Sequence, residues 1–188
     1  MLPLPLQLDS SDTTALEKAM RMYNGKAMIN SVNGKQSSMS EVFPLVQKYG
    51  GVVVCLCLDE SGIPETAEGR IAIAKKIIKT AESYGIDKKD LVVDALVMTI
   101  STNKDNAKET LKAVEYIRHE LGVGTVLGVS NISFGLPKRE AINTAFFTLA
   151  LKAGLSAGII NPLSESMMNA YYSYNALEGF DDNCTEYI

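Results

Sequence analysis

Short apolar segments alternate along this chain with longer stretches of helical hydrophobic periodicity. Several of the short segments are almost continuously apolar, as in Val52-Val53-Val54, which is typical of strands buried on both faces of a parallel sheet. The pattern predicts six strands, at 4–8, 26–30, 51–57, 91–94, 125–130 and 157–161. It predicts six helices between and after them, at 13–23, 40–49, 66–84, 106–121, 138–153 and 164–178.

The ends of these helices carry recognisable signals. Ser40 is a candidate N-cap for the second helix, and Pro44 would then lie in its first turn, where a missing N–H costs little. Helix 66–84 has an apolar stripe through Ile71, Ala74 and Ile77 with lysines outside it. Glycines follow four of the predicted helices, as is common at helix C-termini: Gly50, Gly85, Gly122 and Gly154.

Six βα units in sequence are compatible with two architectures. One is an open doubly wound sheet, and the other is an arc of a (β/α)₈ barrel. A complete barrel averages about 31 residues per unit, and six units of that length account for the 188 residues. Unit length does not exclude the open sheet. No low-complexity linker interrupts the pattern, so we expect a single domain over residues 1–188.

Composition excludes several classes of protein. The net charge of −4 and the lack of a basic run argue against nucleic acid or an anionic membrane as partner. No apolar run approaches the roughly 20 residues that span a bilayer, and no secretory signal is recognisable. Three cysteines do not form a disulfide framework. We therefore expect a cytoplasmic α/β protein.

Every predicted strand ends at, or within two residues of, a short carboxylate or carboxamide. In α/β folds, functional groups concentrate at the carboxyl ends of the strands, and Asp and Asn are uncommon inside strands. Each of these residues could also cap a helix or start a turn, and this local role is favoured for Asp59 and Asn161. The six residues are Asp9, Asn30, Asp59, Asp94, Asn131 and Asn161.

This set of side chains suits hydrogen bonding better than nucleophilic chemistry. His119 is the only histidine, in a predicted solvated helix, so neither a Ser-His-Asp triad nor a histidine metal site is expected. Cys55 and Cys57 share one face of a strand and are expected in the core; with Cys184 isolated, we expect no metal site. Carboxylates accept paired N–H donors, a match for the edge of an aminopyrimidinone ring.

The segments around these strand ends resemble the pterin-binding (methyltetrahydrofolate) domain of cobalamin-dependent methionine synthase and the related corrinoid methyltransferases. The resemblance covers nearly the whole chain, in order, and continues from 128–133 into 134–139. The matching segments are Leu8-Asp9-Ser10, the run 28–33, Gly62-Ile63-Pro64, Val93-Asp94, the run 128–133 and the run 160–163.

The resemblance implies a (β/α)₈ TIM barrel of the pterin-binding type. The six units here would then be strands 3–8, an incomplete barrel lacking the first two βα units, and the open sheet edges would invite self-association. Four of the strand-end residues match family positions that contact the pterin: Asp9, Asn30, Asp94 and Asn131. Asp59 and Asn161 gain no such support.

The activity implied is methyl transfer from 5-methyltetrahydrofolate to cob(I)alamin carried by another domain, as part of methionine synthesis. Asn131 would hydrogen-bond the amine that loses the methyl group, and helix N-termini would favour the anionic glutamate tail. Cobalamin-binding and homocysteine-binding domains are the expected partners. The alternatives are an inactive or folate-binding-only module, a dihydropteroate-synthase-like pterin enzyme, and an open-sheet fold with unrelated binding.

Overall fold

The computed structural model describes residues 4–188 and contains six βα units. Residues 1–3 of the expected domain lie outside the described range. The elements are β1 (Gln7–Asp9), α1 (Thr13–Met22), β2 (Met28–Asn33), α2 (Gln36–Tyr49), β3 (Val52–Leu56), α3 (Ala67–Ser83), β4 (Leu91–Asp94), α4 (Asn106–His119), β5 (Gly124–Gly128), α5 (Arg139–Lys152), β6 (Ala157–Ile159) and α6 (Glu165–Leu177).

The order of the strands decides between the two architectures. All neighbouring strands pair in parallel, and their spatial order, β1 to β6, is the order of the chain. A doubly wound sheet would reverse its order at a switch point, whereas a (β/α)₈ barrel places each unit beside the previous one. The chain therefore folds as an incomplete TIM barrel, a curled six-stranded sheet with its helices on the outer face.

Alternate residues of each strand lie on opposite faces of this sheet. Ile29, Val53 and Leu91 are paired in register and fully buried in the core against the helices. The next residue along each strand points to the opposite, concave side. Asn30 and Val54, for example, are paired in register there. Burial of the helix-facing set drives the packing of the helices on the outer face.

The second helix begins earlier than its sequence signals indicate. We expected Ser40 at the N-cap, but α2 starts at Gln36 with Lys35 in the capping position. The Ser38 hydroxyl accepts a hydrogen bond from the backbone N–H of Asn33 at 3.1 Å, which ties this earlier start to the end of β2. Pro44 consequently lies inside the helix and not in its first turn.

The helix-ending glycines were predicted correctly. Gly50 follows α2 with φ 74°, and Gly85 follows α3 with φ 75°, a left-handed conformation that residues with a Cβ rarely adopt.

Among residues 4–188, no helix is long and apolar enough to cross a lipid bilayer.

Two neighbouring valines of β4 test the assignment of the sheet faces. Val93 is fully buried on the helix side, whereas Val92 is only partly buried on the concave side. We expect Val93→Ala to lower the free energy of unfolding by about 2 kcal/mol, and Val92→Ala by less than about 1 kcal/mol. Urea denaturation measures both, and equal losses would contradict an open concave face.

Candidate functional site

The carboxyl ends of the parallel strands form one rim, and the predicted site residues lie along it. Asp9 ends β1, Asn30 lies in β2, and Asp94 ends β4. Asn131 follows β5 in a short 3₁₀ turn, Val129–Ser133. Asn30 faces the concave side, and Asp9 pairs with it in register. Asp94 lies two residues after the concave-facing Val92 and therefore shares that face.

Asp9 and Asn30 form a hydrogen-bonded pair at this rim. The Asn30 side-chain amide donates to Oδ2 of Asp9 at 3.1 Å. This bond assigns the donor end of the Asn30 carboxamide to Asp9 and leaves its oxygen directed elsewhere. Both residues line a cavity of about 340 Å³ that is bounded by the β1–α1 and β2–α2 segments; Asp94 and Asn131 do not line it.

Asp94 is the most buried carboxylate of the rim, with 8% of its surface exposed. Its Oδ1 accepts the backbone N–H of Leu96 at 2.8 Å. Burial raises the pKa of Asp94 from 3.8 to about 6, and the Leu96 hydrogen bond and the nearby Arg70 guanidinium only partly offset that effect. Near neutral pH the group is an ionised carboxylate in a poorly solvated place, which favours binding of hydrogen-bond donors.

The Asn131 side chain folds back over the end of β5. Its Nδ2 lies 3.2 Å from the point where a Cβ on Gly128 would stand, and Gly128 is on the concave face in register with Ile159. The Arg139 guanidinium donates hydrogen bonds to the Ser130 carbonyl and the Ser133 hydroxyl of this turn. Among the hydrogen bonds within residues 4–188, none uses the Asn131 amide, so the amide can serve a ligand.

Asp59 and Asn161 hold their own turns, which is the local role favoured for them on sequence grounds. Asp59 Oδ1 accepts the backbone N–H of Ser61 at 2.8 Å. Asn161 Oδ1 accepts that of Leu163 at 3.1 Å, and Asn161 is exposed beside a second cavity of about 490 Å³. Both side chains are thus occupied at least in part by local structure.

Cys57 adjoins the β4 strand end, where its backbone N–H donates to the Asp94 carbonyl at 3.0 Å. Cys55 and Cys57 are fully buried in the core, as predicted, and burial raises the pKa of both thiols. His119 is exposed at the end of α4. Within the described residues, no group of three or more His, Cys, Asp and Glu side chains is arranged to hold a metal ion.

Sequence reasoning missed Arg70, a fully buried arginine on α3. Its guanidinium donates to the carbonyls of Pro64 and Leu96 and to the Thr110 hydroxyl. The buried face of α3 runs through Ala67, Arg70, Ile73 and Ile77, so Arg70 occupies a core position by its helical spacing. That helical spacing was the available signal. The predicted apolar stripe included Ile71, which is only partly buried, and left out Arg70.

A family model for pterin binding enzymes matches residues 1–161 of the chain. This match covers most of the sequence and includes all four predicted site residues. The chain therefore belongs to the pterin-binding enzyme family.

Among curated proteins, the chain is similar to methionine synthases and to a corrinoid enzyme. It is 34% identical to methionine synthase of Mycobacterium tuberculosis over 88% of this chain and 15% of that protein. For Mycobacterium leprae methionine synthase the identity is 34% over 84% and 14%. It is 30% identical to methylcorrinoid:tetrahydrofolate methyltransferase of Eubacterium limosum over 97% of this chain and 69% of that protein. The chain thus spans about a seventh of the methionine synthases and two thirds of the corrinoid enzyme.

The fold is similar to that of a solved pterin enzyme. A crystal structure of dihydropteroate synthase from Clostridium difficile, determined in the presence of pteroic acid, superimposes with a TM-score of 0.75. The match covers 94% of this chain and 68% of that one at 22% sequence identity. It confirms the barrel architecture expected from the sequence.

The raised pKa of Asp94 makes a prediction about stability. In the folded chain the Asp94 carboxyl keeps its proton up to about pH 6, whereas a free aspartate loses its proton near pH 3.8. The folded state therefore binds the proton more tightly, and the free energy of unfolding should fall as the pH rises from about 4 to about 6. Asp94→Asn removes this loss, so we expect the variant to be up to about 3 kcal/mol more stable than the parent at pH 7.5.

Denaturation of Asp94→Asn and its parent at pH 4.5 and pH 7.5 measures this difference. Asp59→Asn, in the turn after β3, is the matched control for loss of a carboxylate elsewhere at the strand ends. A stability difference for Asp94→Asn that is the same at both pH values would contradict the raised pKa.

Proposed function

We propose that this chain binds the pterin ring of 5-methyltetrahydrofolate and passes its methyl group to cob(I)alamin held on another domain. One observation carries the proposal in this pterin-binding family member: a buried carboxylate, Asp94, shares the concave rim with the Asp9–Asn30 pair. The chemistry of this rim matches the edge of an aminopyrimidinone ring.

Asp94 would recognise the guanidine-like edge of the pterin. The ring presents two adjacent N–H donors, and one carboxylate can accept both when it is ionised. Binding the ring would exclude the remaining water and strengthen this contact. The Asp9–Asn30 pair lies on β1 and β2, three and two strands from β4, and would hold the ring from another side through its unused acceptors.

Asn131 would act on the nitrogen that loses the methyl group. The bond from this nitrogen to the methyl carbon breaks, the electron pair stays on the nitrogen, and the nitrogen then takes a proton from solvent. A hydrogen bond from the Asn131 amide stabilises the pair as it develops. The corrinoid partner would supply the nucleophile that receives the methyl group.

The names of the relatives support a corrinoid partner. Two are methionine synthases, of which this chain matches a small part, and the third is a methylcorrinoid:tetrahydrofolate methyltransferase. We therefore propose cobalamin-binding and homocysteine-binding domains as partners. The name of the Eubacterium limosum enzyme describes transfer toward tetrahydrofolate, and one site can serve both directions because they share a transition state.

The contacts of Arg139 favour methyl transfer over a dihydropteroate-synthase-like reaction. That reaction needs basic side chains for a pyrophosphate, and Lys138 and Arg139 are the candidates beside Asn131. The Arg139 guanidinium instead donates to Ser133 and Ser130 and stacks on the Phe134 ring at 4.7 Å. Its Nε and Nη2 thus hold the turn that carries Asn131.

The described sheet has two open edges. Within residues 4–188, β1 and β6 each pair with one strand only, and an eight-stranded barrel has two more strands than this sheet. We propose that these open edges can pair with a second copy of the chain.

Calorimetry with 5-methyltetrahydrofolate tests the assignment of the binding residues. We expect Asp94→Ala and Asn30→Ala to weaken binding by at least tenfold, because each removes hydrogen bonds to the ring. Asp59→Ala, which alters only a turn, should bind as the parent does. If the parent gave no heat of binding at folate concentrations near ~1 mM, the proposed function would be wrong for this chain.

The transfer step has its own test. We expect Asn131→Ala to retain folate binding within about threefold but to slow methyl transfer to free cob(I)alamin by at least tenfold, as loss of a transition-state hydrogen bond does. The absorbance of the corrinoid reports the rate. Asn161→Ala is the matched control at the neighbouring strand end, and an unchanged rate for Asn131→Ala would remove its assigned role.

The pKa of Asp94 predicts the pH dependence of binding. Above about pH 6 the carboxylate is ionised and can accept both N–H donors, and below it the proton blocks one acceptor. We therefore expect folate affinity to fall as the pH drops from 7.5 to 5. Asp94→Asn should bind weakly at every pH and lose this dependence; calorimetry at three pH values distinguishes the two patterns.

A further inference from the structure

Arg70 is a buried cation that joins three segments around the β4 strand end. Its Nε donates to the Pro64 carbonyl at 3.0 Å, and its Nη1 donates to the Leu96 carbonyl at 3.1 Å and to the Thr110 hydroxyl at 2.7 Å. The planar guanidinium fixes these directions together, which a lysine ammonium cannot do. Arg70 therefore sets the position of the Leu96 peptide relative to α3 and α4.

Leu96 connects this arginine to Asp94. Its φ of 61° is left-handed, an uncommon conformation for a residue with a branched side chain. In that conformation the Leu96 carbonyl accepts from Arg70, and its N–H donates to Oδ1 of Asp94 at 2.8 Å. The carboxylate orientation thus depends on a backbone conformation that Arg70 and Thr110 hold from behind.

We propose that Arg70 is a positioning residue for the pterin site: by holding the Leu96 carbonyl it fixes the amide that orients the Asp94 carboxylate. The inference rests on the proposed function only for the identity of the ligand. The hydrogen-bonded chain from Arg70 through Leu96 to Asp94 is a property of the fold itself.

The charge of Arg70 acts on the same carboxylate. Among residues 4–188, its Nη2 has no hydrogen-bond partner, so no direct contact neutralises that end of the guanidinium. The groups that interact with it electrostatically are Cys57 on the β3 end, Glu109 on α4 and Asp94. Arg70 lowers the pKa of Asp94, against the larger opposite effect of burial, and so favours the ionised form that binds donors.

A purely structural arginine would make a different prediction. Loss of a tie between α3 and α4 would lower stability and leave the titration of Asp94 unchanged in the protein that remains folded. Loss of a positioning residue would move that titration, because the Leu96 hydrogen bond and the nearby positive charge both favour the carboxylate. The two roles are therefore separable by a measurement on Asp94 itself.

The experiment is a ¹³C-NMR titration of aspartate carboxyl carbons in the full chain, with Asp94 assigned from the spectrum of Asp94→Asn. For Arg70→Met we expect the Asp94 midpoint to rise above its value of about 6 in the parent. Arg70→Lys keeps the charge without the fork, so it should give a smaller rise. Arg118→Met, at an exposed position on α4, should leave the midpoint unchanged.

Thr110→Val is the milder variant, and it decides the question if Arg70→Met does not fold. The substitution removes the hydroxyl that accepts a hydrogen bond from Nη1 but keeps the shape of the side chain. We therefore expect the titration midpoint of Asp94 to rise, as in Arg70→Met. Thr148→Val is its matched control, because Thr148 donates to the carbonyl four residues back, as Thr110 does, without touching Arg70.

Binding of 5-methyltetrahydrofolate gives the second readout. We expect Arg70→Lys to weaken it by about tenfold at pH 7.5, with the pH dependence displaced upward. If the parent binds no folate while the Asp94 midpoint still rises in Arg70→Met, the proposed function fails and the positioning role stands. If folded Arg70→Met and Thr110→Val both titrate as the parent does, the positioning role is wrong.

Discussion

Parallel pairing of consecutive strands is the constraint on which this molecule depends. It places the carboxyl ends of all strands at one rim, and it sorts alternate residues onto a helix-covered face and a concave face. Ile29 and Asn30 show the consequence: neighbours in sequence, one is fully buried in the core and the other forms a side-chain hydrogen bond with Asp9. Packing stability and ligand chemistry are thereby assigned to opposite faces of the same strands.

At Asp94 the two demands meet in one residue. Burial of its carboxylate costs stability near neutral pH, because the folded state favours the protonated form up to about pH 6. A residue placed for stability alone would be apolar or an amide here. The cost is consistent with a binding role, since sites for polar ligands commonly retain groups that destabilise the free protein.

Membership of the pterin-binding enzyme family does not by itself select a reaction. The dihydropteroate synthase of Clostridium difficile shares the barrel with this chain at 22% identity, and one fold commonly serves several chemistries through its rim. The rim therefore carries the functional argument. In the function proposed above, Asp94 and the Asp9–Asn30 pair bind the pterin ring, and Asn131 acts in the methyl transfer.

By itself, the sequence determined the succession of six βα units, because hydrophobic periodicity is a local property. Strand β4 was predicted residue for residue. The candidate side chains at the strand ends followed from the predicted strand positions. The start of α2 was missed, since a contact between Ser38 and β2 outweighed the capping signal of Ser40. Only the tertiary structure showed that Asp94 is buried and that burial raises its pKa, and only it revealed the Arg70 contacts. Burial and charge environment arise from segments distant in the chain, so no local pattern encodes them.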